Sequence, residues 1–103
     1  MTIISKLVRD KIPEILREKG RLIKVNRVEG NELCYHLLKK LNEEVDELKS
    51  NLSIEEIADV LEVLEAITRT CLGKTMNEVM SVKEMKKKKL GGFDKGLIAT
   101  YYE

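Results

Sequence analysis

Glu43, Glu44 and Glu47, followed by Glu56 and Asp59, are the residues of this chain best suited to chemistry. They read Glu-Glu-x-x-Glu, a break, then Glu-x-x-Asp. Residues three apart share one face of a helix. If the stretches either side of Asn51–Ser53 are helices folded back on each other, levels can be counted outward from the turn. Glu47 then meets Glu56, and Glu44 meets Asp59. Two rungs of carboxylates at close range repel, and a divalent cation is the usual relief. His36 is the only histidine and no Glu-x-x-His pair exists, so the donors are oxygens. Such a set suits Mg²⁺, or Mn²⁺, better than zinc or copper. On helical geometry Glu44 borders the apolar stripe, Glu47 sits one step outside it, and Glu43 points further away.

Two plainer readings stand beside this one. Acidic residues on helices are ordinarily solvated. Ser53-Ile54-Glu55-Glu56 also matches a capping box, in which the Glu56 side chain returns to the Ser53 backbone. Capping accounts for Glu56 and leaves Glu44, Glu47 and Asp59 unexplained.

The elements that must position these acids follow from periodicity. Residues 31–50 carry an apolar stripe of Cys34, Leu37, Leu38, Leu41, Val45 and Leu48. After Ser53 a further helix places Ile57, Val60, Leu61, Leu64 and Ile67 on one side and ends near Gly73. Asp10 is predicted to cap an earlier helix reaching Lys19, with Pro13 in its first turn and Gly20 as its stop. A last helix over 75–89 is stopped by Gly91 and Gly92. Residues 21–28 and 96–102 read as extended segments that could pair as a small ribbon. The expected architecture is all-α, an antiparallel four-helix bundle with those two short extended segments.

Length and composition are consistent with this. At 103 residues the chain is one domain, 1–103, and its 43% hydrophobic residues leave apolar surface for self-association. No apolar run reaches membrane-spanning length. Cys34 and Cys71 each stand alone, which suggests small buried side chains rather than a disulfide framework, and a cytoplasmic location. The net charge of +1 hides segregation. Residues 1–27 hold eight Lys/Arg against three Asp/Glu, residues 28–73 four against eleven, and residues 74–102 seven against three. An acidic centre between basic ends suits a cation and an anionic substrate, while near-neutrality argues against coating a nucleic acid polymer.

Three segments together resemble a known family. Glu43-Glu44-x-x-Glu47 with Glu56-x-x-Asp59 is similar to the signature of the all-α MazG-like nucleoside triphosphate pyrophosphohydrolases, which include phosphoribosyl-ATP pyrophosphohydrolase and dimeric dUTPases. The opening Lys6-Leu7-Val8-Arg9-Asp10-Lys11-Ile12-Pro13 and the ending Lys89-Leu90-Gly91-Gly92-Phe93-Asp94-Lys95-Gly96 resemble one small house-cleaning branch. The resemblance implies cleavage between the α- and β-phosphates of a nucleoside triphosphate, with Mg²⁺ on Glu44, Glu47, Glu56 and Asp59. It also implies a homodimer or homotetramer. Leu90 departs from the pattern, standing where relatives often have a basic residue.

Within that frame Glu43 is the candidate for orienting the attacking water or supporting a ligand. Lys6, Arg9, Lys11, Lys86 and Lys89 are candidates for holding phosphate, and Arg9 leads because its planar fork suits phosphate. Gly91 and Gly92 either let the backbone approach a phosphate or end the last helix. The competing functions are phosphoribosyl-ATP hydrolysis, a non-catalytic helical interaction module, and a nucleotide-binding regulator. No aromatic cluster marks a base pocket, so the preferred base is not written in the sequence.

Overall fold

The computed structural model describes residues 3–102. Among the described residues the regular structure is entirely helical: α1 (Ile12–Glu18), α2 (Gly30–Ser50), α3 (Ile54–Leu72) and α4 (Met76–Leu90). Residues up to Gly73 form one compact unit and those from Lys74 onward a second. The expected all-α class is present, and the α2–α3 pair is its packed heart.

That pair is a hairpin because three residues separate two long helices. Asn51 and Ser53 both take extended backbone angles, which ends α2 and starts α3 at once. So short a connection forces antiparallel neighbours. Ser53 caps α3 by accepting the Glu56 backbone N–H at 3.2 Å. At its other end Gly73 adopts the left-handed conformation (φ 62°), and its N–H donates to the Arg69 carbonyl at 3.1 Å. Between the helices lie Leu37 and Val63, the buried apolar residues of the unit, flanked by partly buried Leu41, Val45, Leu48, Val60 and Ile67. Thr68 is also buried, and its hydroxyl donates to the Leu64 carbonyl one turn back at 2.8 Å.

Several expectations change. The Asp10 cap is not made: the chain turns through Asp10 and Lys11, Lys11 takes the cap position, and no side chain caps α1. Neither 21–28 nor 96–102 forms a strand, so there is no ribbon among the described residues. Their β-branched residues have no ladder to join, and Leu22, Val25, Leu97 and Ile98 lie exposed. The apolar stripe of α3 divides in two. Val60, Val63 and Ile67 turn toward α2, whereas Ile57, Leu61 and Leu64 remain on an outer, exposed face.

The cysteines are the largest correction. Cys34 and Cys71 form a disulfide between α2 and α3, with Cα atoms 5.4 Å apart. Each looks solitary in the sequence, yet the hairpin sets them at nearly equal distances from its turn. The pairing fastens the open end of the hairpin. Disulfides persist in oxidising surroundings, so the cytoplasmic reading loses the support it took from unpaired cysteines. Among the described residues no helix is long and apolar enough to cross a membrane.

Candidate metal centre

The hairpin's register brings the acids of its two helices together. Glu44, Glu56 and Asp59 each offer a carboxylate oxygen such that the three oxygens lie within 4.8 Å of one another. Glu44 and Asp59 are level across the hairpin, as their spacing from the turn requires, and Glu56 stands one turn nearer the connection. Glu44 is more deeply placed than its position beside the stripe suggests, at 7% exposure. Glu56 and Asp59 are half-buried.

Burying a carboxylate without partners is costly. One Glu44 oxygen, Oε1, lies 3.4 Å from the Lys40 ammonium. The other, Oε2, is buried and has no hydrogen-bond partner among the described residues, and the same holds for Oε2 of Glu56. The cap does not account for Glu56. In α4 the box closes fully: Thr75 accepts the Glu78 N–H at 3.2 Å and the Glu78 carboxylate accepts the Thr75 N–H at 2.8 Å. In α3 only the first half forms, and the Glu56 carboxylate stays with the acidic cluster. Its pKa is raised above the ordinary 4.5, first by loss of hydration and then by the neighbouring charges of Glu47, Asp59, Glu44 and Glu55. Oxygen-only donors, two of them orphaned, fit a hard divalent cation.

The remaining site residues fall into three groups. Glu47 lies outside the trio, exposed, and shares an open recess with Asp46, Ser50, Asn51 and Glu56. Glu43 is bound to the trio indirectly: Lys40 sits 3.4 Å from Glu43 Oε2 as well as from Glu44 Oε1. Arg9 reaches the trio directly, its Nη2 donating to Asp59 Oδ1 at 2.7 Å across fifty residues of sequence. Lys6 and Lys11 are exposed on the segment around it. Lys86 and Lys89 line a groove on α4 with Val82, Met85 and Leu90, Gly91 closes that helix with φ 85°, and Gly92 follows. These four belong to the second unit.

Sequence reasoning overlooked Lys40. Its signal was present, because a lysine three and four residues before two glutamates on a helix faces both. The side chain is only 16% exposed, so its charge acts on its neighbours with little screening.

The chain matches no protein-family model, no curated protein and no solved structure.

Proposed function

We propose that the chain is a Mg²⁺-dependent nucleoside triphosphate pyrophosphohydrolase of the MazG-like kind, acting on non-standard nucleotides. The observation that carries this is the Glu44–Glu56–Asp59 cluster, in which two buried carboxylate oxygens have no partner. The motif resemblance at both ends of the chain supports the substrate class. Water is added across the α–β anhydride, giving the monophosphate and pyrophosphate.

In this reading Glu44, Glu47, Glu56 and Asp59 hold Mg²⁺, or Mn²⁺ in its place. A divalent cation there supplies charge to offset the phosphates and makes a bound water more acidic. Lys40 fixes Glu44 from one oxygen and leaves the other for the cation. Glu43, on the same ammonium, orients water or steadies Glu44. Arg9, Lys6 and Lys11 supply positive charge to the phosphates. The exposed outer face of α3, Ile57, Leu61 and Leu64, supports a homodimer or homotetramer built on that face.

The test is release of pyrophosphate from a panel of common, damaged and phosphoribosyl-linked triphosphates, with and without Mg²⁺. Metal-dependent release abolished by Glu44→Gln supports the enzyme. Binding without turnover identifies a regulator, and neither binding nor turnover leaves a helical interaction module.

A further inference from the structure

Arg9 stands apart from the other basic residues assigned to phosphate, because its guanidinium is already engaged, and engaged with a member of the acidic trio. It lies in the irregular segment before α1. Its own carbonyl is held by the Ile12 N–H at 3.0 Å, which anchors its backbone to the start of that helix. The side chain extends from there to α3 and makes one 2.7 Å contact, Nη2 to Asp59 Oδ1. A guanidinium has five N–H donors, and Asp59 takes one of them.

The three acids differ in their counter-ions. Glu44 is paired within its own helix by Lys40, an i,i+4 contact that leaves one oxygen open. Glu56 has an oxygen with no partner. Asp59 is served by a cation borrowed from a distant part of the chain. That pair is solvent-accessible, 56% at Arg9 and 38% at Asp59. Exposed pairs of this kind contribute little to stability and are readily exchanged. A guanidinium and a dication on one carboxylate also repel each other.

We propose that Arg9 is an exchangeable counter-ion of this site. It holds Asp59 while no cation is there, gives up that carboxylate when a divalent cation is taken by the trio, and turns its freed donors to a phosphate of the incoming triphosphate. This rests on the metal-dependent reading above and deepens it. Arg9 thereby makes cation binding and phosphate binding mutually dependent: the cation releases the arginine, and the phosphate keeps it released. The fork geometry matters for the second partner, since two N–H groups can meet two phosphate oxygens.

The opposite role is a fixed clamp, in which Arg9 stays on Asp59 and orients it for the cation. The two roles predict opposite signs. Mn²⁺ binding is measured by calorimetry in the absence of nucleotide, on wild type, Arg9→Ala, Arg9→Gln and the control Lys49→Ala. Exchange predicts that Arg9→Ala and Arg9→Gln bind Mn²⁺ about three- to tenfold more tightly, because a competitor and a like charge are gone. Both variants then show KM for the triphosphate raised about tenfold or more, with Lys49→Ala unchanged in both assays. Unchanged or weaker Mn²⁺ binding in both arginine variants overturns the exchange while leaving the metal site standing. Absence of Mn²⁺ binding in wild type, or binding unaffected by Glu44→Gln and Asp59→Asn, overturns the metal reading and this proposal with it.

Discussion

At the scale of single residues, the acidic trio is a place where the fold spends stability on charge. Glu44, Glu56 and Asp59 repel, and two of their buried oxygens lack partners. Removing one charge is therefore expected to leave the fold intact while lowering the proposed activity. Glu44→Gln, Glu56→Gln and Asp59→Asn are each expected to lower metal-dependent turnover about 100-fold or more, the scale on which loss of a metal's charge stabilisation is felt. Thermal melts in EDTA should show Glu44→Gln and Glu56→Gln at or above the wild-type midpoint. A fall of both midpoints would mean that these carboxylates are satisfied in a way their surroundings do not suggest. Glu56 adds a pH dependence. Its folded-state pKa is raised above 4.5, so between 4.5 and that raised value the folded protein binds more protons than the unfolded one, and stability falls as pH rises. Above the raised value the penalty is fully present; toward 4.5 it disappears. Urea titrations in EDTA at neutral and mildly acidic pH should thus show Glu56→Gln more stable than wild type at neutral pH, with the gap closing on acidification. A gap independent of pH would remove Glu56 as its source. The meeting of Glu44, Glu56 and Asp59 was legible in the sequence, because residue spacing from a turn decides which acids come together; Glu47, expected level with Glu56, stands outside the trio. Arg9–Asp59 was not legible, since a contact across fifty residues leaves no local periodicity.

The hairpin is the element on which everything else depends. Its register levels Glu44 with Asp59, and that register is held at one end by Ser53 and at the other by Cys34–Cys71. Ser53 could be read from the chain, because a serine between two apolar-periodic stretches is a cap signal with a mechanism. The disulfide could not, because spacing alone does not tell two lone cysteines from a pair until the helices are folded together. The division of α3 into inner and outer apolar faces was hidden for a similar reason: its apolar positions, at mixed three- and four-residue spacings, fit either side until a partner helix selects one. Closing a loop across 37 residues stabilises by about 2–4 kcal/mol, chiefly through the unfolded chain. Paired Cys34→Ser and Cys71→Ser substitutions should lower unfolding free energy by that order in urea titrations. Adding reductant to wild type should reproduce the loss, and reductant should not affect the variant. Equal stability of wild type with and without reductant would show that the bond contributes nothing. A loosened hairpin should also bind Mn²⁺ more weakly, since the ligands from α2 and α3 then need ordering as well as binding.

For the molecule as a whole, the question is what covers the outer face of α3. Ile57, Leu61 and Leu64 recur at spacings of four and three, so they line one side of the helix, and all three are exposed. Leu38 of α2 is exposed too. Single exposed leucines are ordinary, but a stripe along a helix is not, and among the described residues only Leu37 and Val63 are buried apolar side chains. Chains of this size seldom hold themselves together on so small a core. A second copy brings the same stripe, and a twofold axis lets one surface serve both partners. Light scattering of wild type at micromolar concentration should give a multiple of the 11.8 kDa chain mass. Leu61→Asp with Leu64→Asp should shift it toward one chain, because carboxylates facing each other across a twofold contact are both desolvated and mutually repelled. Reductant is a needed control, and it should leave the wild-type mass unchanged, because the cysteines pair within one chain. The Mn²⁺ titration of the double variant then separates two designs. Retained affinity means that one hairpin supplies the whole cation site, as the closeness of Glu44, Glu56 and Asp59 implies. A monomeric wild-type mass would defeat the assembly outright.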